Sequence, residues 1–292
     1  MGRVRIGTSG WSYNHWRKNA FYPAGLPQRR ELEYLSRRLS TVEINGSFYS
    51  LLRPESYAGY RGQVPDGFVF AVKGGQFITH SKKLKDVEVP LANFLASGVL
   101  GLEETLGPIL WQLPRMRFDA DRVERFLDLL PPDTAAAARL ARRHDHRVQG
   151  RASFAVERSR RLRHALEVRH PEMLSDPVLL ACRRRNVALV FSHNGGEWPY
   201  VEEVTAGWCY LRLHGAPKTY GSDYGSDELA VWGERVRLWS QGKEPADAAR
   251  VSTRLPPQRK SRDVYVYFDN DQSAFAPRNA CALQQALTQD RA

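Results

Sequence analysis

The chain has 292 residues and a net charge of +11, from 43 Lys and Arg against 32 Asp and Glu. Apolar residues make up 42% and charged residues 26%, which excludes a disordered, collagen-like or low-complexity chain and fits a globular one. No run of about 18 uncharged apolar residues occurs, so no membrane-spanning helix is expected.

Eight short segments rich in β-branched and aromatic residues predict strands, in order Val4–Gly7, Thr41–Asn45, Phe68–Lys73, Ile109–Gln112, Ala165–Arg169, Ala188–His193, Tyr210–His214 and Val264–Asp269. Helical patterns fall between most of them, at Glu31–Leu39, Glu55–Gly62, Leu91–Leu100, Ala120–Leu130, Pro177–Arg185, Glu228–Trp239 and Arg278–Leu287. Strands alternating with helices imply an α/β protein with a parallel sheet. Eight such units in this length match a closed (β/α)8 TIM barrel, read as a single domain over residues 1–292. The competing architecture is an open doubly wound sheet. Against it, the first strand runs into Gly7-Thr8-Ser9-Gly10-Trp11, which lacks dinucleotide-binding glycine spacing, so no nucleotide cofactor is expected.

Alternation within the strands locates a site. Successive strand residues point to opposite faces. Val42 and Ile44 oppose Glu43 and Asn45, and Leu166 and Val168 oppose Glu167 and Arg169. Leu211 and Leu213 oppose Arg212 and His214, and Val266 and Phe268 oppose Tyr267 and Asp269. Lys73 and His193 end their strands in the same manner. The apolar face is expected to meet the helices, and the polar face to line the barrel interior near the strands' C-terminal ends, where barrel enzymes keep their sites. The beginning of the chain has no signal-peptide pattern, and Cys182, Cys209 and Cys281 are few and far apart. Both point to a reducing, cytoplasmic setting.

The same residues carry a family resemblance. Gly7-Thr8-Ser9-Gly10-Trp11-Ser12-Tyr13, Phe21-Tyr22-Pro23 and Glu43-Ile44-Asn45-Gly46-Ser47-Phe48-Tyr49 are followed by Lys73-Gly74 and Phe77-Ile78-Thr79-His80. Then come Gly107-Pro108, Gln112-Leu113-Pro114, Glu167-Val168-Arg169-His170, Arg212-Leu213-His214-Gly215 and Tyr267-Phe268-Asp269-Asn270. Over nearly its whole length the chain resembles the YecE-like family, a domain of unknown function. The resemblance implies a TIM barrel likened to sugar isomerases and endonuclease-IV-type barrels, and it implies no reaction. Where relatives usually carry Asp after the sixth strand, this chain has His193, a departure that bears on whether activity is preserved.

Several chemistries are open to the inward residues. Glu43 and Glu167 can act as an acid–base pair, with His214 and Asp269 completing a catalytic set. The competing reading is that the acids simply hold neighbouring cations. Lys73, Arg169 and Arg212 can bind a phosphate or carboxylate, or can neutralise Glu43, Glu167 and Asp269, since these three bases and three acids balance. Gln112, Asn45 and Asn270 add polar groups, and Trp11, Tyr13, Phe48, Tyr49 and Tyr220 in predicted mouth loops can stack on a ring substrate or pack the loops over the barrel rim. His80, His170, His193 and His214 are candidates for proton transfer or for a divalent metal, though no HExxH-type pair occurs.

The expected function is an enzyme, hydrolase or isomerase, acting on a small polar or phosphorylated, sugar-like substrate. The alternatives are a nucleic-acid-binding protein or endonuclease-IV-like phosphodiesterase, and a non-catalytic binding protein. No membrane partner is expected. The charge bears on nucleic acid. Residues 139–163 carry +7 and residues 250–263 carry +4, which together equal the whole excess. Both segments lead back towards a strand and are expected mostly at the end of the barrel away from the site. In that position the basicity gives no support to a nuclease.

Overall fold

The computed structural model describes residues 1–289. Its elements, in chain order, are β1 (Val4–Ser9), α1 (Glu31–Ser36), β2 (Thr41–Ile44), α2 (Gly46–Tyr49), α3 (Pro54–Arg61), β3 (Val69–Lys73), α4 (Glu88–Ala96), β4 (Leu106–Gln112), α5 (Ala120–Leu129), α6 (Thr134–Ala141), β5 (His164–Glu167), α7 (Asp176–Arg184), β6 (Ala188–His193), β7 (Trp208–Leu213), α8 (Ser226–Ser240), β8 (Asp263–Phe268) and α9 (Phe275–Gln289). All eight predicted strands are present. They follow one another in the sheet in chain order, and the sheet closes with β8 beside β1 in parallel pairing. This is a (β/α)8 TIM barrel; closure rules out the open doubly wound alternative. Among the described residues no helix is long and apolar enough to cross a membrane.

Two compact units make up the chain, residues 1–43 with 188–292, and residues 44–187. In the first, Ser9 pairs in register with Glu43, Ser192 with Arg212, and Leu213 with Phe268. Its inner strand face is packed solid below the charged layer: Tyr210 and Tyr267 lie 4.9 Å apart ring to ring, and Thr41 Oγ1 meets Tyr267 Oη at 2.9 Å. Gly7 belongs to this layer because a Cβ there would overlap the Thr41 carbonyl. The outer face meets the helices, with Phe191 against Trp239 of α8 at 5.0 Å. In the second unit, Gln112 pairs with Glu167, and Trp111 points outward between Phe94 of α4 and Phe126 of α5. The inside–outside alternation expected from the sequence therefore governs both.

Helix α6 is absent from the predicted elements. It is rich in alanine, the best helix former, and the Asp133 side chain accepts from Ala136 N at the first turn. The helix has a consequence for the basic segment. It starts beside the approach to β5, where Asp133 bridges Arg161. It ends at the start of α4, where Arg143 pairs with Glu88 and Asn93 bonds Asp145. Beyond it, Arg147 lies over the Phe77 ring, and Arg151 donates to the carbonyls of Leu51 and Leu52. Those partners follow the C-terminal ends of β3 and β2. The expectation that residues 139–163 lie mostly at the opposite end is thus corrected: an extra helix carries their middle back towards the loops on the site side.

Candidate functional site

In the unit of residues 1–43 and 188–292, one chain of charged contacts runs across the strand ends. Glu43 is fully buried. It accepts from Ser9 Oγ at 2.7 Å, Tyr210 Oη at 2.7 Å and Arg212 Nη2 at 2.8 Å. Arg212, also buried, reaches Asp269 Oδ2 at 3.0 Å, and the same oxygen lies 3.0 Å from His214 Nδ1. Burial pushes the Tyr210 phenol well above its ordinary range, with the neighbouring Glu43 charge next, so its hydroxyl stays protonated and donates to Glu43. The Asp269 carboxylate is thus within ion-pair distance of the imidazole, whose two ring nitrogens are both buried. The His214 ring is enclosed by Trp198, edge-on at 5.1 Å, and Tyr220, edge-on at 5.4 Å. Asp269 keeps 17% of its side-chain surface, so the dyad has an edge open to solvent.

The strands dictate this grouping. Arg212 and Tyr210 are two apart on β7 and share a face, and register brings Ser9 beside Glu43. The participation of Tyr210 and Ser9 was missed in the sequence, although Tyr210 has the same parity as Arg212. Also missed was a group formed by the loops after β1 and β8. Asp271 accepts from the indole of Trp16 and lies 3.0 Å from His15 Nε2, and burial raises its pKa to about 6.

In the unit of residues 44–187 a second cluster forms at the ends of β3, β4 and β5. Glu167, fully buried, accepts from Gln112 Nε2 at 2.9 Å and pairs with Arg169 at 3.0 Å. Lys73 Nζ lies 4.2 Å from the Phe48 ring centre, and His80 meets the same ring edge-on at 5.2 Å. Burial, then the charges of Lys73 and Arg169, hold the His80 pKa below its ordinary value, so its ring is neutral at pH 7.

The remaining candidates fall elsewhere. His193 is the clear correction. Register pairs Ser192 with Arg212, which puts Ser192 on the inner face and turns His193 outward. There its Nδ1 meets Tyr224 Oη at 2.8 Å and its ring packs on Trp232 of α8 at 5.1 Å. Burial lowers its pKa and keeps it neutral. Asn270 is a brace: its amide donates to Ser222 O at 3.0 Å and Asn279 Oδ1 at 2.8 Å. Asn45 opens α2, and His170 caps a short helical turn by accepting from Glu172 N. Trp11 gives its carbonyl to Tyr22 Oη, and Tyr13 donates to Ser9 O at 2.7 Å. Tyr49 and Tyr220 are exposed. Among the described residues no group of three or more His, Cys, Asp or Glu converges as metal ligands.

The family model described as "Protein of unknown function DUF72" matches residues 5–292. The chain belongs to the DUF72 family. A DUF72 protein from Thermotoga maritima has a TM-score of 0.71 at 23% identity, covering 98% of this chain and 99% of that one. A DUF72 protein from Enterococcus faecalis has a TM-score of 0.69 at 18% identity, covering 98% and 95%. A sugar phosphate isomerase/epimerase from Parabacteroides distasonis covers 99% and 96% at 9% identity, but its TM-score of 0.41 is too low to bear on the reaction. Comparison with curated proteins finds no match. These DUF72 relatives share the fold and name no substrate.

Proposed function

We propose that this DUF72 protein is an enzyme acting on a small polar or phosphorylated, sugar-like substrate by acid–base chemistry at the C-terminal ends of its barrel strands. The observation that carries this reading is the His214–Asp269 dyad, tied through Arg212 to buried Glu43. A histidine beside a carboxylate is a residue pair that proton-transfer chemistry uses. Asp269 orients it, Arg212 fixes Asp269, and Glu43 fixes Arg212. Glu43 is then a positioning residue. Its three donors already saturate the carboxylate, which matches that role better than direct contact with a substrate. Tyr220, exposed on one side and against His214 on the other, is the group a substrate must displace or stack upon.

The test is ligand-dependent stabilisation across a panel of sugars and sugar phosphates. A ligand at about 100 times its Kd raises stability by about 2.7 kcal/mol, a readable rise in Tm. His214→Gln is expected to fold and bind but to abolish turnover of whichever ligand is converted. Unchanged turnover in His214→Gln overturns the assignment.

A further inference from the structure

The proposed chemistry leaves one surface of the 44–187 unit unused. Tyr49 and Phe77 are 70% and 45% exposed, in a molecule whose aromatic side chains are mostly buried. Tyr49 ends α2, just beyond β2, and Phe77 opens the helical turn Phe77–Ser81 just beyond β3. Phe48 and His80 connect them: Phe48 meets Tyr49 edge-on at 5.1 Å and His80 at 5.2 Å, and His80 belongs to the turn that Phe77 begins.

Cationic side chains lie along this segment, together with Asp145 and the exposed Asp86. The Arg147 guanidinium lies 5.4 Å from the centre of the Phe77 ring, while also pairing with Asp145 at 2.9 Å. Arg151, bonded to the carbonyls of Leu51 and Leu52, pins the basic segment against the chain that follows Tyr49. Lys83 and Lys85 are exposed in the loop that follows Phe77.

We infer that this face binds single-stranded nucleic acid, with bases stacked on Tyr49 and Phe77 and phosphates against Arg147, Lys83 and Lys85. Every base has a flat π face, so exposed rings beside cations bind a single strand without reading its sequence. A duplex keeps its base faces stacked and offers such rings nothing. An acidic peptide would satisfy the cations and leave the rings unused. The inference is independent of the role given to His214.

The test is fluorescence anisotropy with labelled oligothymidylate and the full chain. Binding is expected at about 50 mM salt, and if about three phosphates are contacted its logarithm falls with a slope near −2 against log salt. Tyr49→Leu and Phe77→Leu keep apolar bulk but remove the π face. Each is expected to weaken binding about tenfold. The pair Lys85→Glu and Arg147→Glu is expected to weaken binding and flatten the salt slope. Arg254→Glu with Arg259→Glu, in the other basic segment, is expected to change neither. Absent binding at low salt overturns the inference. So does binding that the leucine variants leave intact, or polyglutamate competing as well as unlabelled oligothymidylate.

Discussion

Replacing Glu43 by alanine tests whether the charged chain across the strand ends is a connected structure. The substitution removes the acceptor of three hydrogen bonds in a fully buried position. Breaking a buried ion pair by deleting one partner costs about 3–5 kcal/mol. Arg212 retains Asp269 at 3.0 Å, which holds this contribution near the lower bound. The buried Tyr210 hydroxyl, stripped of its acceptor, adds about 1 kcal/mol. The expected destabilisation is therefore about 4 kcal/mol, or a fall in Tm of about 8 °C for a chain of this size. Glu43→Gln keeps the volume and one acceptor oxygen but loses the charge, and about 2 kcal/mol is expected. Urea unfolding followed by circular dichroism measures both, with the midpoint shifting and the slope unchanged. A double-mutant cycle with Arg212→Met is expected to show a coupling of about 2 kcal/mol. The reasoning fails if Glu43→Ala stays within about 1 kcal/mol of the parent, or if its effect simply adds to that of Arg212→Met.

Three further outcomes follow from the same geometry. His164 is buried between the Trp111 indole and the Pro131 carbonyl, and burial drops its pKa from 6.5 to about 4. The unfolded chain therefore binds a proton there that the native state refuses. The stability is fully present above pH 6.5 and about 3 kcal/mol of it is lost as pH falls towards 4. Unfolding free energies that stay flat between pH 7 and pH 4.5 would contradict this. Tyr220→Ala uncovers one side of His214, and faster modification of His214 by diethylpyrocarbonate, read by mass spectrometry, is the expected result; an unchanged rate shows that Tyr220 does not shield it. Gly7→Ala forces a methyl group onto the Thr41 carbonyl and is expected to cost at least about 3 kcal/mol by thermal denaturation, whereas a drop within about 0.5 kcal/mol means the strands can part there at no cost.

Much of the architecture is local and was legible in the sequence. Strand and helix periods depend on residues a few positions apart, so all eight strands could be located and most inner-face residues assigned by parity. Parity named Glu43, Glu167, Arg169, Arg212, His214 and Asp269 as a set of polar strand-end residues. It did not say which would touch, because contact depends on the register between strands and on side-chain reach. His193 shows the limit. A polar residue at a strand end reads as inward, whereas pairing of Ser192 with Arg212 decides that it faces α8. Helix α6 shows another: a short alanine-rich stretch redirects the basic segment, and where it packs is decided by α4 rather than by its own residues.

The net charge of +11 follows from the sequence alone, and so does its concentration in residues 139–163. Its position does not. Only the packing of α6 against α4 brings Arg147 to Phe77 and Arg151 to the chain after α2. Likewise, composition supplies a histidine and an aspartate in adjacent strands, but the hydrogen-bond register of β7 with β8 sets Asp269 against His214. Alternation along a strand is a property of the backbone and is written locally. Which charged groups meet is settled by closure of the sheet, which joins residues more than 200 positions apart.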